Sequence, residues 1–309
     1  MPTKTLHLNL RTGAALAAAL VVLPSCVYGR DATARATATV TGQEAPTVVG
    51  TQPPRVSRPL PPINRRPACP LRLPRRLPAR EIVVPILMYH RINVIRRPST
   101  PAITRNLTVH PADFARQMAW LKRHGYHTVT QRELFDALMC GRRLGRKPIM
   151  ITLDDGYRDV FTKASPILAR LDMRATAYVV SGRISGEDPS FLTWEQLPRL
   201  ERRGVEIASH TVSHRGLTLL SDCEALEELV RSRKTLERKL GHPVPWFAYP
   251  FGAYDARIER LARRAGYLLA TTTELGARQS ARRPLALPRL RVLDSTGVSG
   301  LAAMLAAAT

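Results

Sequence analysis

Acidic residues are scarce in this chain: 24 Asp and Glu stand against 47 Lys and Arg in 309 residues, a formal net charge of +23. Aromatic residues are few, at 6%. A field of that sign suits nucleic acid, but no stretch interleaves basic with aromatic residues or carries a base-reading motif, so only charge argues for that partner. Anionic cell-surface polymers and lipid head groups fit the charge equally well. The excess is shared between residues 1 to 80 (+10) and the remainder (+13). The four cysteines, Cys26, Cys69, Cys140 and Cys223, form no CxxC or zinc-finger spacing, which excludes the usual thiolate metal sites.

What is present begins with Lys4 and Arg11, followed by the apolar run Ala14 to Leu23. A basic start and an apolar stretch too short to span a bilayer read as a secretory signal over residues 1–29. Export is therefore expected, to the periplasm, an outer-membrane anchorage or the exterior. Leu23-Pro24-Ser25-Cys26 resembles a bacterial lipobox apart from its proline, so membrane attachment through a lipidated Cys26 and ordinary cleavage nearby both stand. If Cys26 carries lipid, three cysteines remain, and one thiol is left over unless it pairs between chains. From residue 30 to 80 there is neither helical nor strand period, and nine of the thirty positions 51 to 80 are proline, interleaved with arginine. Such a composition favours an extended, solvated tether.

Residues 81–309 read differently. Ile82 to Tyr89 is a buried strand that delivers His90. A helix through Phe114, Met118 and Leu121 with Gly125 as its stop follows, then a short strand Tyr126 to Val129. Thr130 and Glu133 have capping-box spacing and open a helix. Ile149 to Leu153 is an apolar strand that stops at Asp154-Asp155-Gly156. The alternation continues with a helix Val160 to Leu171, a strand Ala175 to Val180, a helix entered through Thr193 and Gln196, and a strand Val205 to Ala208. A long amphipathic helix capped by Ser221 and Glu224 comes next, then a strand Val244 to Tyr249, a helix Ile258 to Arg264 and a strand Tyr267 to Thr271, with Leu287 to Leu293 as a last strand. Seven or eight βα units in succession predict parallel strands with right-handed crossovers, and closing them gives a deformed (β/α)7-type barrel.

Polar clusters sit at the C-terminal ends of four of these strands: His90, Asp154-Asp155, His210 with His214, and Tyr249-Pro250-Phe251. A barrel gathers those ends on one rim. Asp154-Asp155-Gly156 alone would also suit an Asp-Gly turn. His-x-x-x-His brings two imidazoles to one ion when helical, and a carboxylate completes a three-ligand set with an open position. Two His and one Asp suit a divalent metal, zinc first, with cobalt or nickel acceptable. Such an ion would polarise a carbonyl and acidify water, leaving one Asp free as general base and His90 as acid.

These residues resemble a known family. Thr152 to Gly156 looks like the first motif of the polysaccharide deacetylases (the NodB homology domain, carbohydrate esterase family 4), and Ser209 to His214 looks like the second. The resemblance implies Asp154 as base and Asp155, His210 and His214 as metal ligands. Phe247 to Gly252 is similar to the third motif, whose residue after the proline, here Phe251, lines the substrate groove and offers a backbone donor to the oxyanion; Tyr249 and Pro250 are substrate or oxyanion candidates beside it, with simple packing an equal reading for Tyr249. The third motif usually carries an arginine that orients the base, and Ala248 stands there instead, as in the permuted subgroup of poly-N-acetylglucosamine deacetylases. No histidine follows His242, so the usual C-terminal acid is absent. Leu87-Met88-Tyr89-His90 resembles the permuted subgroup's acid element. The family's fourth motif, an Asp with a Trp, has no counterpart, since no Trp follows Trp246. Arg289 or Arg291 is the candidate to take over the base-orienting role of the missing arginine.

The resemblance implies a metal-dependent hydrolase acting on carbon–nitrogen bonds, whose partner is an N-acetylated polysaccharide. Three rivals stand beside it: an O-acetyl xylan esterase of the same fold, a glycan-binding scaffold without activity, and a basic nucleic-acid-binding protein.

Overall fold

The computed structural model describes residues 69–95, 99–184 and 186–308. Cys26, the apolar amino-terminal run and the stretch read as a tether, up to residue 68, lie outside them.

Seven strands form the core: β1 (Ile86–Tyr89), β2 (Pro148–Leu153), β3 (Ala175–Val179), β4 (Val205–Ser209), β5 (Trp246–Ala248), β6 (Leu269–Leu275) and β7 (Leu287–Arg291). Their order is β1-β7-β6-β5-β4-β3-β2, every pairing is parallel, and β1 pairs back onto β2 to close the barrel. The expected (β/α)7 architecture is thus present. The strands read as continuous apolar runs because both faces are buried. Met150, Tyr178, Ala208, Ala248 and Leu287 belong to one buried cluster, whereas their neighbours Ile149, Ile151, Leu153, Val179 and Ile207 pack with the surrounding helices. This two-residue alternation decides which residues beyond each strand end turn inward.

The expected capping boxes are formed at Thr130 with Glu133, Thr193 with Gln196 and Ser221 with Glu224. Three stretches differ from expectation. The run from Ile82 to Tyr89 is divided: Glu81–Val83 pairs antiparallel with Arg278–Ser280, and the barrel strand starts only at Ile86. Pro85, which has no N–H to give a ladder, lies between the two pieces. Tyr126 to Val129 contracts to His127–Thr128 on the outer edge of β2. A helix that the sequence reading did not foresee, Gly297–Ala308, buries Leu301 and Leu305 in the cluster that also holds Phe114 and Met118.

The last residues of the tether region are fastened to the fold. Cys69 is joined to Cys140 by a disulfide, Leu73 and Leu77 pack on the cluster that includes β1 and β2 residues, and the Arg80 guanidinium donates to the carbonyls of Ala137 and Leu138. Among the described residues no helix is long and apolar enough to cross a membrane.

Candidate active site

The apolar alternation of β2 places Thr152 inward, Leu153 outward and Asp154 inward again. Asp154 is 2% exposed, and its N–H donates to the Tyr89 carbonyl at 2.9 Å. The chain then turns through two left-handed residues, Asp155 at φ 75° and Gly156 at φ 75°. Aspartate tolerates that conformation. A side chain at 156 would also meet the Val179 Cα at 3.3 Å, so the turn is reserved for glycine.

Arg289 decides which of the two arginines serves Asp154. It lies at an inward position of β7, 1% exposed, and its two terminal nitrogens donate one each to Asp154 Oδ1 and Oδ2, both at 2.8 Å. The guanidinium is held in turn: Nε donates to the Thr272 carbonyl at 2.8 Å and Nη1 to Thr152 Oγ1 at 3.1 Å. Arg291 is exposed at the end of the same strand. The base-orienting role considered for either arginine therefore has geometry behind it only at Arg289.

The three expected metal ligands meet. Asp155 Oδ1 lies 3.5 Å from His210 Nε2 and 3.3 Å from His214 Nε2, and the ligand atoms of the three residues all fall within 4.8 Å of one another. The ring of His210 is aimed by Nδ1, which meets the Ala248 carbonyl at 2.8 Å. The segment is not helical, contrary to the geometry invoked for His-x-x-x-His. Thr211 and His214 have positive φ (67° and 62°), and Glu228, on the helix Asp222–Leu240, gathers the loop instead. Its carboxylate accepts from Val212 N and Ser213 N at 2.9 Å each and from Ser213 Oγ at 2.6 Å. Sequence reasoning missed Glu228, because nothing in a heptad of helix charges marks one glutamate as a loop anchor.

His90 follows Tyr89, which pairs with Leu153, so the register sets it level with Asp154. Its Nδ1 is buried and has no hydrogen-bond partner among the described residues. Phe251 is 68% exposed, at φ 59°, with its ring edge-on to His214 at 4.6 Å between centroids. Pro250 is buried in the same short 3-10 turn. Tyr249 does not line the groove. Its ring points outward between Phe247 and Tyr254, at 5.0 and 5.1 Å, as alternation from inward Ala248 requires. A further wall was not foreseen: Tyr157 stacks on Phe191 at 5.1 Å, with Arg91 over one ring and Arg183 over the other.

The electrostatics follow from these contacts. Burial pushes the Asp154 carboxyl upward, but the charge and hydrogen bonds of Arg289 outweigh it and hold the group below the usual carboxylate range. Asp155 is likewise held low by its histidine neighbours against burial. Burial and the charge of His210 lower His214 to about 4, so it rests neutral at pH 7, the form a metal requires. Burial lowers His90 as well, opposed by the carboxylates of Asp154 and Asp155. A fixed anionic base, a converging set of two imidazoles and a carboxylate, and a histidine beside them make a hydrolytic constellation.

The family model for polysaccharide deacetylases matches residues 141–270, which include Asp154, Asp155, His210 and His214. YxkH of Bacillus subtilis (strain 168), whose name places it provisionally among the polysaccharide deacetylases, is 32% identical over 219 residues, covering 71% of this chain and 74% of that protein. The poly-beta-1,6-N-acetyl-D-glucosamine N-deacetylase of Staphylococcus aureus (strain MRSA252) is 23% identical over 240 residues, covering 72% of this chain and 82% of that one. The solved structure of the Streptococcus pyogenes deacetylase PplD in complex with acetate superposes with a TM-score of 0.67 at 31% identity, covering 73% of this chain and 99% of PplD. By sequence, fold and the motif residues brought together on one rim, the chain belongs to the polysaccharide deacetylases, the enzymes of carbohydrate esterase family 4.

Proposed function

We propose that this enzyme removes N-acetyl groups from an amino-sugar polysaccharide at the cell surface, of the poly-N-acetylglucosamine, chitin-like or peptidoglycan type. The observation that carries the reading is the convergence of Asp155, His210 and His214 beside an Asp154 clamped by Arg289. The donor set fits a divalent ion, zinc before cobalt or nickel: His210 Nδ1 is spent on the Ala248 carbonyl, which leaves Nε2 for the metal. Bound there, the ion would polarise the acetamide carbonyl and acidify water. Asp154, kept ionised and fixed through both oxygens, takes the proton of the attacking water. His90, one strand away, gives a proton to the departing nitrogen; burial lowers it, and the two carboxylates near it oppose that lowering and favour the imidazolium this step needs. The Phe251 peptide beside His214 supplies a donor to the developing oxyanion. The products are acetate and a free amine.

The named activity of the S. aureus relative and the acetate bound to PplD support this substrate class. A Cys69–Cys140 disulfide supports an oxidising compartment, in keeping with export. The test combines metal analysis with acetate release from N-acetylglucosamine oligomers and from acetylated xylan, for wild type and Asp154→Asn. Release from the oligomers, lost in Asp154→Asn with metal content retained, is expected. Release from xylan alone would make the chain an O-acetyl esterase, and binding of metal and sugar without turnover would make it a scaffold.

A further inference from the structure

The pole of the barrel opposite the candidate site is a concentrated basic surface. The strands' N-terminal ends lie there, reached through residues 69–80 and the loop 141–147 that enters β2. Those two segments hold eight Lys and Arg and no Asp or Glu. They line two grooves that adjoin at Cys140 and Gly141. One, of about 400 Å³, includes Arg72 and Arg75; the other, of about 570 Å³, includes Arg80, Arg142, Arg143 and Arg146. Arg142 is paired with Asp136 and Arg80 with helix-end carbonyls. Arg72, Arg75, Arg143 and Arg146 are exposed, and their guanidinium groups have no hydrogen-bond or carboxylate partner among the described residues. Leu71, 45% exposed, stands among them. The Cys69–Cys140 disulfide holds both segments together as one surface.

We infer that this pole docks the enzyme on an anionic lipid bilayer, with the arginines on lipid phosphates and the candidate site turned away from the membrane. Guanidinium forks match phosphate oxygens in pairs. Basic residues interleaved with exposed leucine and proline are the composition of an interfacial surface. A stacking platform of aromatic rings, which single-stranded nucleic acid needs, is missing from both groove linings. A glycan held here would lie a barrel's length, roughly 20 Å, from the Asp154 end of β2, so the surface does not serve the substrate.

The test is co-sedimentation of the full chain with vesicles of phosphatidylcholine containing about 30% phosphatidylglycerol, and with phosphatidylcholine alone. Wild type is compared with Arg143→Glu/Arg146→Glu and with a control, Arg231→Glu/Arg260→Glu. The control residues are exposed on the helices Asp222–Leu240 and Ala256–Arg264, which flank β5, three strands from β2. The pole variant should lose affinity for the anionic vesicles by at least about tenfold, and the control should stay within about threefold. Vesicle-dependent protection of the 141–147 amides from hydrogen exchange, measured on wild type, reads the same contact without any substitution. Unchanged binding of the pole variant without such protection, an equal loss in the control, or equal binding to phosphatidylcholine alone would overturn the inference. So would a pole variant that loses affinity for an RNA oligomer but not for vesicles.

Discussion

Arg289 and Asp154, 135 positions apart in the chain, form a two-pronged pair at 2.8 Å on both prongs inside the mouth of the barrel. Ala248 stands where the family's arginine is expected, and Arg289 reaches Asp154 from a different strand, which is the geometry behind its proposed role in orienting the proposed base. Removing one partner of a buried ion pair strands the other charge, at a cost of about 3 to 5 kcal/mol. Arg289→Ala should therefore lower stability by that amount in urea unfolding. In the surviving folded fraction it should reduce kcat by about a hundredfold, since misplacement of a reacting group by about 1 Å has that effect. Metal content should be unchanged. Arg289→Lys keeps a charge but not the fork and should fall between. Arg291→Ala, at an exposed position, should stay within about 0.5 kcal/mol of wild type.

Glu228 holds the loop between His210 and His214, the proposed metal ligands, through three hydrogen bonds. Glu228→Ala should weaken metal affinity by about 10- to 100-fold, the usual effect of losing an outer partner of metal ligands. Competition with a chelating dye measures this directly. An affinity equal to wild type would show that Thr211 and its neighbours hold the loop unaided.

Glu206 supplies a pH dependence away from the site. It accepts from Trp246 Nε1 at 2.8 Å and from Gln131 N at 3.0 Å, and burial nonetheless pushes its carboxyl up to about 7 from 4.5. The folded state thus binds the proton more tightly than the unfolded chain. This contribution to stability is fully present below about pH 4.5 and is lost as pH rises through about 7. It amounts to about 3 kcal/mol at most. Urea midpoints for wild type minus those for Glu206→Gln should fall across this window; a flat difference would contradict the raised carboxyl.

The disulfide closes a loop with a sequence separation of 71 residues. In the chain-entropy view a loop of this length stabilises the fold by about 4 kcal/mol. Reduction, or Cys69→Ser with Cys140→Ser, should lower the unfolding free energy by about that amount, and calorimetry with and without reductant measures it. Acetate release at temperatures well below unfolding should be retained, since the bridge lies at the far pole.

Much of the polar rim of the barrel was legible in the sequence. Asp154, Asp155, His210 and His214 stand at the ends of apolar runs, and such runs announce buried parallel strands whatever their partners. The alternation that buries Phe247 outward and Ala248 inward also implies that Tyr249 faces the helices, which decides between the groove and the packing readings left open for it. The choice between Arg289 and Arg291 was open for a simpler reason. Both lie on one strand with the same parity, and only the height of β7 against β2 tells which guanidinium meets the carboxylate.

The sequence by itself determined most of the barrel strands, the capping boxes and the strand ends at which Asp154, Asp155, His210 and His214 stand, because these depend on local periodicity and on side-chain chemistry. Only the tertiary structure decided what depends on closure of the barrel. It assigned Arg289 to Asp154, made Glu228 rather than a helix the support for the two histidines, joined Cys69 to Cys140 and gathered the arginines at the far pole. Each of these is a contact between residues distant in the chain, set by strand register and helix packing, which no local pattern encodes.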